Sequence, residues 1–255
     1  MTTVLETQIL GVVLLFCRMG GCIILAPGLS SPRVPVHVRL FMAIGVTFAL
    51  APLMMQDVME RLISTPAHQH VLLILQETLF GLLIGFMARC FFLALQFAAT
   101  AISNFIGLAG IPGIPLEEGD TGSPLATLTS TAGILIVFTL GLHVELLRAV
   151  IDSYAVLPIG QAVTAELALS NVLSTITETW LLALRLAGPF LLYGVIVNFA
   201  LALGNRFAQQ ISVYHATTGA VMLGGFLLLY LIWLDWIMVF AGAYSSWLME
   251  GGFGG

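Results

Sequence analysis

Lysine is absent from this chain, and eight arginines supply its whole basic complement against thirteen acids. The net charge of −5 at pH 7 leaves no basic cluster of the kind nucleic acid requires, which excludes that partner class. Charge of either sign is scarce, at 8% of residues where a soluble domain carries roughly 25%. Hydrophobic residues make up 59%, and the mean hydropathy is +1.06. Too little polar surface exists to coat a water-soluble globule, so the chain reads as an integral membrane protein or a buried subunit of a membrane assembly. The opening "MTTVLETQIL" lacks the basic flank of a cleaved signal peptide, so the first apolar run is expected to stay.

Patterns that carry chemistry are missing as well. No H-E-x-x-H, G-x-S-x-G or phosphate-binding G-x-x-x-x-G-K-[ST] run occurs. Cys17, Cys22 and Cys90 lie inside apolar runs with no C-x-x-C pair and no histidine at ligand spacing, as expected of inert buried thiols. His143 and Glu145 stand two residues apart, a spacing that does not share a helix face. Glu117, Glu118 and Asp120 lack the regular spacing of a calcium loop and are expected to be solvated. No enzyme, cofactor or metal site is expected.

What the chain does have is apolar length. Runs at about residues 8–27, 36–56, 70–103, 125–151, 174–204 and 218–248 each meet the roughly 18-residue threshold for a membrane helix. An all-α fold of six apolar helical runs follows, taken as a single domain over residues 1–255. "PGLSSPRVP" joins the first two runs as a turn, which makes them a helical hairpin. Gly188-Pro189 is expected to kink or break the run that contains it. Several runs overshoot: 70–103 as one helix would reach roughly 50 Å against a hydrocarbon core of about 30 Å. Packing against other protein beyond the bilayer is one explanation. The arginines near the junctions (Arg33, Arg39, Arg61, Arg148, Arg206) are distributed too evenly to fix sidedness.

Charges inside the runs are the candidate functional groups. Arg18, Glu77, Arg89, Arg185 and Asp235 all sit there, and each costs about 2.5–3.5 kcal/mol at a helix centre unless protein or water faces it. On the 70–103 run, Thr78, Gly81, Gly85, Arg89, Gln96, Thr100 and Ser103 fall on one polar and small stripe. Such a stripe serves either close helix packing or a water-lined path. Phe226, Tyr230, Trp233, Trp236, Phe240, Tyr244 and Trp247 form an aromatic stripe expected to pack or to face lipid, with Asp235 on the opposite side. Asp235 is then a candidate inward group, an ion partner for a buried arginine or a proton-sensitive site.

One stretch breaks the pattern: "SNFIGLAGIPGIPLEEGDTGSP", residues 103–124, mixes glycines, prolines and three acids between two apolar runs. Irregular backbone is tolerated at membrane depth only where protein or a water-filled cavity surrounds it. The stretch is either an extramembrane connector or a loop buried in an assembly.

Several segments in order resemble the FliR family of flagellar biosynthetic proteins, components of the bacterial type III export gate that have SctT, YscT and SpaR as injectisome counterparts. They are "LAPGLSSPRVPVHVRLFMAIGVTFALAP" (25–52), "QETLFGLLIGFMARCFFLALQFAATAISNFIGLA" (76–109), "SPLATLTSTAGILIVFTLGLHVELLRAVIDSYAVLPIG" (123–160) and "LALRLAGPFLLYGVIVNFALALGNRFAQQISVYHATTGAVMLGGFLLLYL" (182–231). The resemblance implies an inner-membrane subunit at the flagellar basal body, assembled with FliP and FliQ and meeting FlhB and FlhA. Unfolded flagellar proteins would pass through the pore of that assembly. It further implies that loop 104–124 is a pore plug, carried by Phe105, Ile106, Gly107, Leu108, Gly110, Ile111, Pro112, Gly113, Ile114 and Pro115. Arg18, Glu77, Gly81, Gly85, Arg89, Gln96, Arg185 and Asp235 are then candidates for buried polar or subunit-interface positions, with lipid around the rest. A secondary transporter is the rival reading, but Gly188-Pro189 has no matching break in the other half and no internal repeat is visible.

Overall fold

Seven α-helices and one 3-10 turn make up the secondary structure of the described residues, 2–31, 34–63, 66–108, 123–160, 165–207 and 213–249, in a computed structural model. The helices are α1 (Thr2–Leu25), α2 (Val36–Ile63), α3 (His70–Phe105), α4 (Pro124–Thr139), α5 (Leu142–Val156), α6 (Ala165–Phe207) and α7 (Val213–Met249). Five of them are long and apolar enough to cross a membrane, or up to six spans if the bent pair α4–α5 counts as one. The chain is an all-α membrane protein, as its composition requires.

Glycine and arginine shape the first hairpin. The helix leaves α1 through Gly28, whose φ of +83° is the left-handed conformation that glycine adopts without strain. Arg39 then closes the turn, its Nη2 donating to the carbonyls of Ser31 at 2.6 Å and Val34 at 2.9 Å. The Ser31 carbonyl also accepts the Val34 N–H at 3.0 Å, so backbone and guanidinium together close the turn.

One expectation needs correction and another is narrowed. The apolar run 125–151 is not one helix: it breaks at Leu140-Gly141, and α4 and α5 meet at a bend of 70°. Gly141, at φ +73°, ends one helix and caps the next, and its N–H donates to the Phe138 carbonyl at 3.3 Å. A hydropathy window sees no boundary there because Leu140 and Leu142 flank the glycine. Of the kink or break expected at Gly188-Pro189, the break does not occur: α6 runs 43 residues with Pro189 inside it. One missing N–H removes a single bond from a long helix, and membrane helices tolerate that. At 1.5 Å per residue α6 extends roughly 65 Å, about twice the hydrocarbon core.

The chain resolves into two compact units: residues Met1–Cys90, Val137–Ile176 and Tyr244–Gly255 form the first, and Phe91–Ile136 with Thr177–Ala243 form the second. Leu14, Leu15, Met54, Val58, Leu73 and Ile159 centre an apolar cluster of the first unit, and α2 approaches α1 where Gly11 sits under Met55 and Val58. In the second unit, Phe92 meets Phe240 edge-on at 5.3 Å above Gly133. Phe97 packs on Trp180 at 5.5 Å, and the Trp236 indole N–H donates to the Leu186 carbonyl at 3.1 Å. The aromatic stripe of α7 therefore divides along its length. Trp236, Phe240, Tyr244 and Trp247 are buried, whereas Phe226 and Tyr230 stay 42% and 79% exposed.

Two glycine substitutions separate backbone strain from helix propensity. Gly141→Ala is expected to lower stability by about 1–2 kcal/mol, because a Cβ is unfavourable at its left-handed φ. Gly45→Ala, in an α2 position with open space around it, is expected to raise stability by about 0.4–1 kcal/mol. Thermal unfolding of the chain in detergent reads both, and equal shifts for the two would contradict the assignment.

Candidate functional site

Arg18 is fully buried in the middle of α1, in the first unit, and every side of its guanidinium is occupied. Nε and Nη2 donate to the two carboxylate oxygens of Glu77 on α3, at 2.6 and 3.0 Å. Nη1 donates to the Ser153 hydroxyl of α5 at 3.1 Å, and Nη2 also donates to the Leu157 carbonyl at 3.0 Å. The Tyr154 ring covers one face at 3.8 Å and Phe80 lies 5.3 Å away. Glu77 is 1% exposed. A forked guanidinium–carboxylate pair is the geometry in which a buried ion pair recovers most of its desolvation cost.

Glycines make this network possible. A Cβ on Gly81 would overlap the Arg18 carbonyl itself, and one on Gly85 would lie 2.6 Å from the Cys22 carbonyl. From the other side, a Cβ on Gly21 would lie 2.8 Å from the Thr78 carbonyl. The backbones of α1 and α3 therefore touch, which brings the Arg18 and Glu77 side chains within reach across the crossing. Ser153 is held in place by its own bond to the Val150 carbonyl at 2.6 Å.

The second unit holds the start of the kinked loop. Ser103 on α3 donates to the Ser123 hydroxyl at 2.9 Å, so the two ends of a 20-residue separation are tied together. Ser123 also accepts the Ala126 N–H at 3.2 Å and thereby caps α4 ahead of Pro124. Phe105 rests on Gly194 of α6, Ile106 fills the space over Gly225 of α7, and Gly107 turns the chain with φ +78°. A cavity of about 70 Å³ lies beside this root, with Asn104, Asn198 and Thr218 among its lining residues.

The structure thus sorts the sequence candidates. Arg18, Glu77, Gly81 and Gly85 come together, and they meet inside the chain. The polar stripe of α3 does not act as one face: α1 covers Gly81 and Gly85, Ser103 is buried against Ser123, Arg89 is half-buried, and Gln96 and Thr100 are exposed. Arg185 and Asp235 are exposed on the chain rather than buried in it, because Leu186 and Trp236 take the inward positions beside them. Of the plug residues, Ile106 is fully buried and Phe105 half-buried, so both anchor the loop, with Gly107 and Leu108 half-buried beyond them. Gly110, Ile111, Pro112, Gly113, Ile114 and Pro115 lie outside the described residues, as do Glu117, Glu118 and Asp120. His143 stacks on Phe138 at 4.9 Å, while Glu145 pairs with Arg148 at 3.1 Å.

Ser153, Tyr154 and Gly21 escaped the sequence reading. Ser153 and Tyr154 lie beyond residue 151, where the apolar run ends, and Gly21 stands inside α1, where the pair Gly20-Gly21 just after Arg18 was the available signal.

Long, glycine-notched apolar helices locked by a buried ion pair define a polytopic helical membrane protein. The chain belongs to the bacterial export proteins, family 1, whose family model matches residues 9–247. It is 27% identical over 242 residues to the flagellar biosynthetic protein FliR of Caulobacter vibrioides, covering 94% of this chain and 95% of that protein. FliR of Escherichia coli (strain K12) is 32% identical over 208 residues, covering 77% of this chain and 74% of its own length. The Yop proteins translocation protein T of Yersinia pestis is 30% identical over 217 residues, with 82% and 80% covered.

Removing one partner of the buried pair leaves the other charged and unsatisfied. Arg18→Ala or Glu77→Ala is expected to cost about 3–5 kcal/mol. The double variant R18M/E77L should cost less than either, since no buried charge remains. Denaturation of the detergent-solubilised chain checks the order, and a double variant worse than both singles would contradict it.

Proposed function

We propose that this chain is a subunit of the bacterial flagellar type III export gate, sitting in the inner membrane at the flagellar basal body. It works there as part of a protein conduit and not as an enzyme. Membership of the bacterial export family over nearly the whole chain carries this reading, and the flagellar names of the Caulobacter and Escherichia relatives direct it. The Yersinia relative, named for Yop translocation, supports a second reading in which the same architecture serves an injectisome. FliP and FliQ are the proposed core partners, FlhB and FlhA the proposed neighbours, and unfolded flagellar proteins the cargo. Residues 1–255 act as one subunit.

Loop 104–124 is the proposed plug. Its support is mechanical: Ser103 and Ser123 tie its ends, and Phe105 and Ile106 seat its root on Gly194 and Gly225. A plug needs a fixed base and a displaceable tip, and "AGIPGIP" falls where the tip would be, with glycines that permit unusual backbone angles and prolines that restrict them. Arg18 and Glu77, with Ser153, hold α1, α3 and α5 together within the first unit.

Deleting residues 109–116 keeps the anchors and removes the proposed seal. Cells carrying that deletion are expected to assemble the complex normally and to leak small solutes through it. Unchanged permeability with the complex intact would make the loop an ordinary connector. Deletion of the whole gene should abolish secretion of flagellar proteins; loss of a virulence effector instead would favour the injectisome.

A further inference from the structure

We infer that the α6–α7 pair receives a membrane helix of a different subunit, one carrying an acid opposite Arg185 and a base opposite Asp235. This rests on the export-gate reading and names a docking face for it. Arg185 lies near the middle of the apolar stretch Ala168–Arg206, and Asp235 near the middle of Thr217–Met249. The Trp236–Leu186 hydrogen bond of 3.1 Å sets the two residues at one level, each a single step from it. Both point away from α3. Arg185 stands about 140° round α6 from Trp180, which packs on Phe97, and Asp235 about 140° round α7 from Phe240, which packs on Phe92. Two opposite charges therefore share one open face, and among the described residues neither has an ion-pair partner.

Lipid is a poor occupant for an arginine and an aspartate set within long apolar stretches. A water-filled wall is a poor one too, because Leu181, Leu192, Leu231 and Met238 around the charges are apolar and 57–66% exposed. A protein helix fits both. In the same unit, Gly133, Gly194, Gly224 and Gly225 are each filled by a side chain of the chain itself, whereas nothing lies within 4 Å of a Cβ on Gly188 or Gly242. Gly188 is one turn from Arg185, and Gly242 two turns from Asp235, on the same faces. Pro189 adds a second polar opening, since it has no N–H to return to the Arg185 carbonyl. An incoming helix thus finds a notch for its backbone, an unpaired carbonyl and two charges to match.

The test uses the full chain expressed in its own cells with its native partners, gently extracted and separated by native electrophoresis. Total chain in the membrane is measured in parallel. R185E and D235R are each expected to reduce the share of chain in the large complex at least tenfold while leaving the membrane level near normal. The swap R185D/D235R should not restore it, because the matching charges belong to another subunit. Gly188→Leu, whose Cβ meets nothing in the chain itself and which improves helix propensity, should block assembly to a similar extent. Restoration by the swap would overturn the inference, since the two residues would then pair with each other. Assembly of R185E, D235R and G188L at the unsubstituted level would also overturn it, leaving lipid or water on this face and the export-gate reading intact. If the unsubstituted chain itself migrates alone, the export-gate reading fails and this inference with it.

Discussion

An arginine in the middle of an apolar helix is tolerable only if something inside the protein replaces the water it has lost. Arg18 finds that replacement in a carboxylate, a hydroxyl, a carbonyl and an aromatic face, drawn from α3, α5 and the residues that follow α5. The partners come from two distant stretches, Glu77 and residues 153–157, so the network is complete only when α1, α3 and α5 are in register together. The glycines at 21, 81 and 85 let two backbones touch, and that contact gives the ion pair its short geometry. Bulkier residues there would separate the helices, leaving the charges buried and apart.

The same economy of small residues recurs in the second unit, applied to a loop rather than to an ion pair. Gly194 and Gly225 receive Phe105 and Ile106, and Ser123 serves both as a helix cap and as a tie to Ser103. What the chain does not cover is equally informative. Leu191, Leu192, Val195, Ile196 and Phe199 are all exposed on α6, a helix roughly twice as long as a bilayer's apolar core is thick. Lipid reaches only part of such a rod, and for a member of a protein-export family neighbouring subunits are the natural cover for the rest.

Much of the fold was legible in the sequence because hydropathy in a membrane chain is a strong, local signal. The helical class, the first hairpin and the helix stretches 70–103 and 218–248 all follow from run length and turn residues. Gly141 was not legible, since a left-handed residue between two leucines leaves no trace in hydropathy. At Gly188-Pro189, read as a kink or a break, the helix does not break, because the rest of a long helix carries it past one missing N–H. Of the site, the intramembrane charges and the Gly81–Gly85 pair were visible as expensive or unusually small residues. Their partners were not: the Arg18–Glu77 contact spans 59 positions and Arg18–Ser153 spans 135, and no local pattern encodes such distances. Arg185 and Asp235, read as buried polar or subunit-interface positions, are exposed on the chain by itself, since helical periodicity gives a direction around the axis but not what occupies it.

A chain whose exposed helix faces belong against other subunits should not be recovered alone. Native mass measurement of the protein extracted from its own membrane in mild detergent addresses this. The expected result is a complex several times the 27.3 kDa of the chain, containing other membrane subunits in fixed ratio. A stable, folded species of 27.3 kDa with no companion would contradict it.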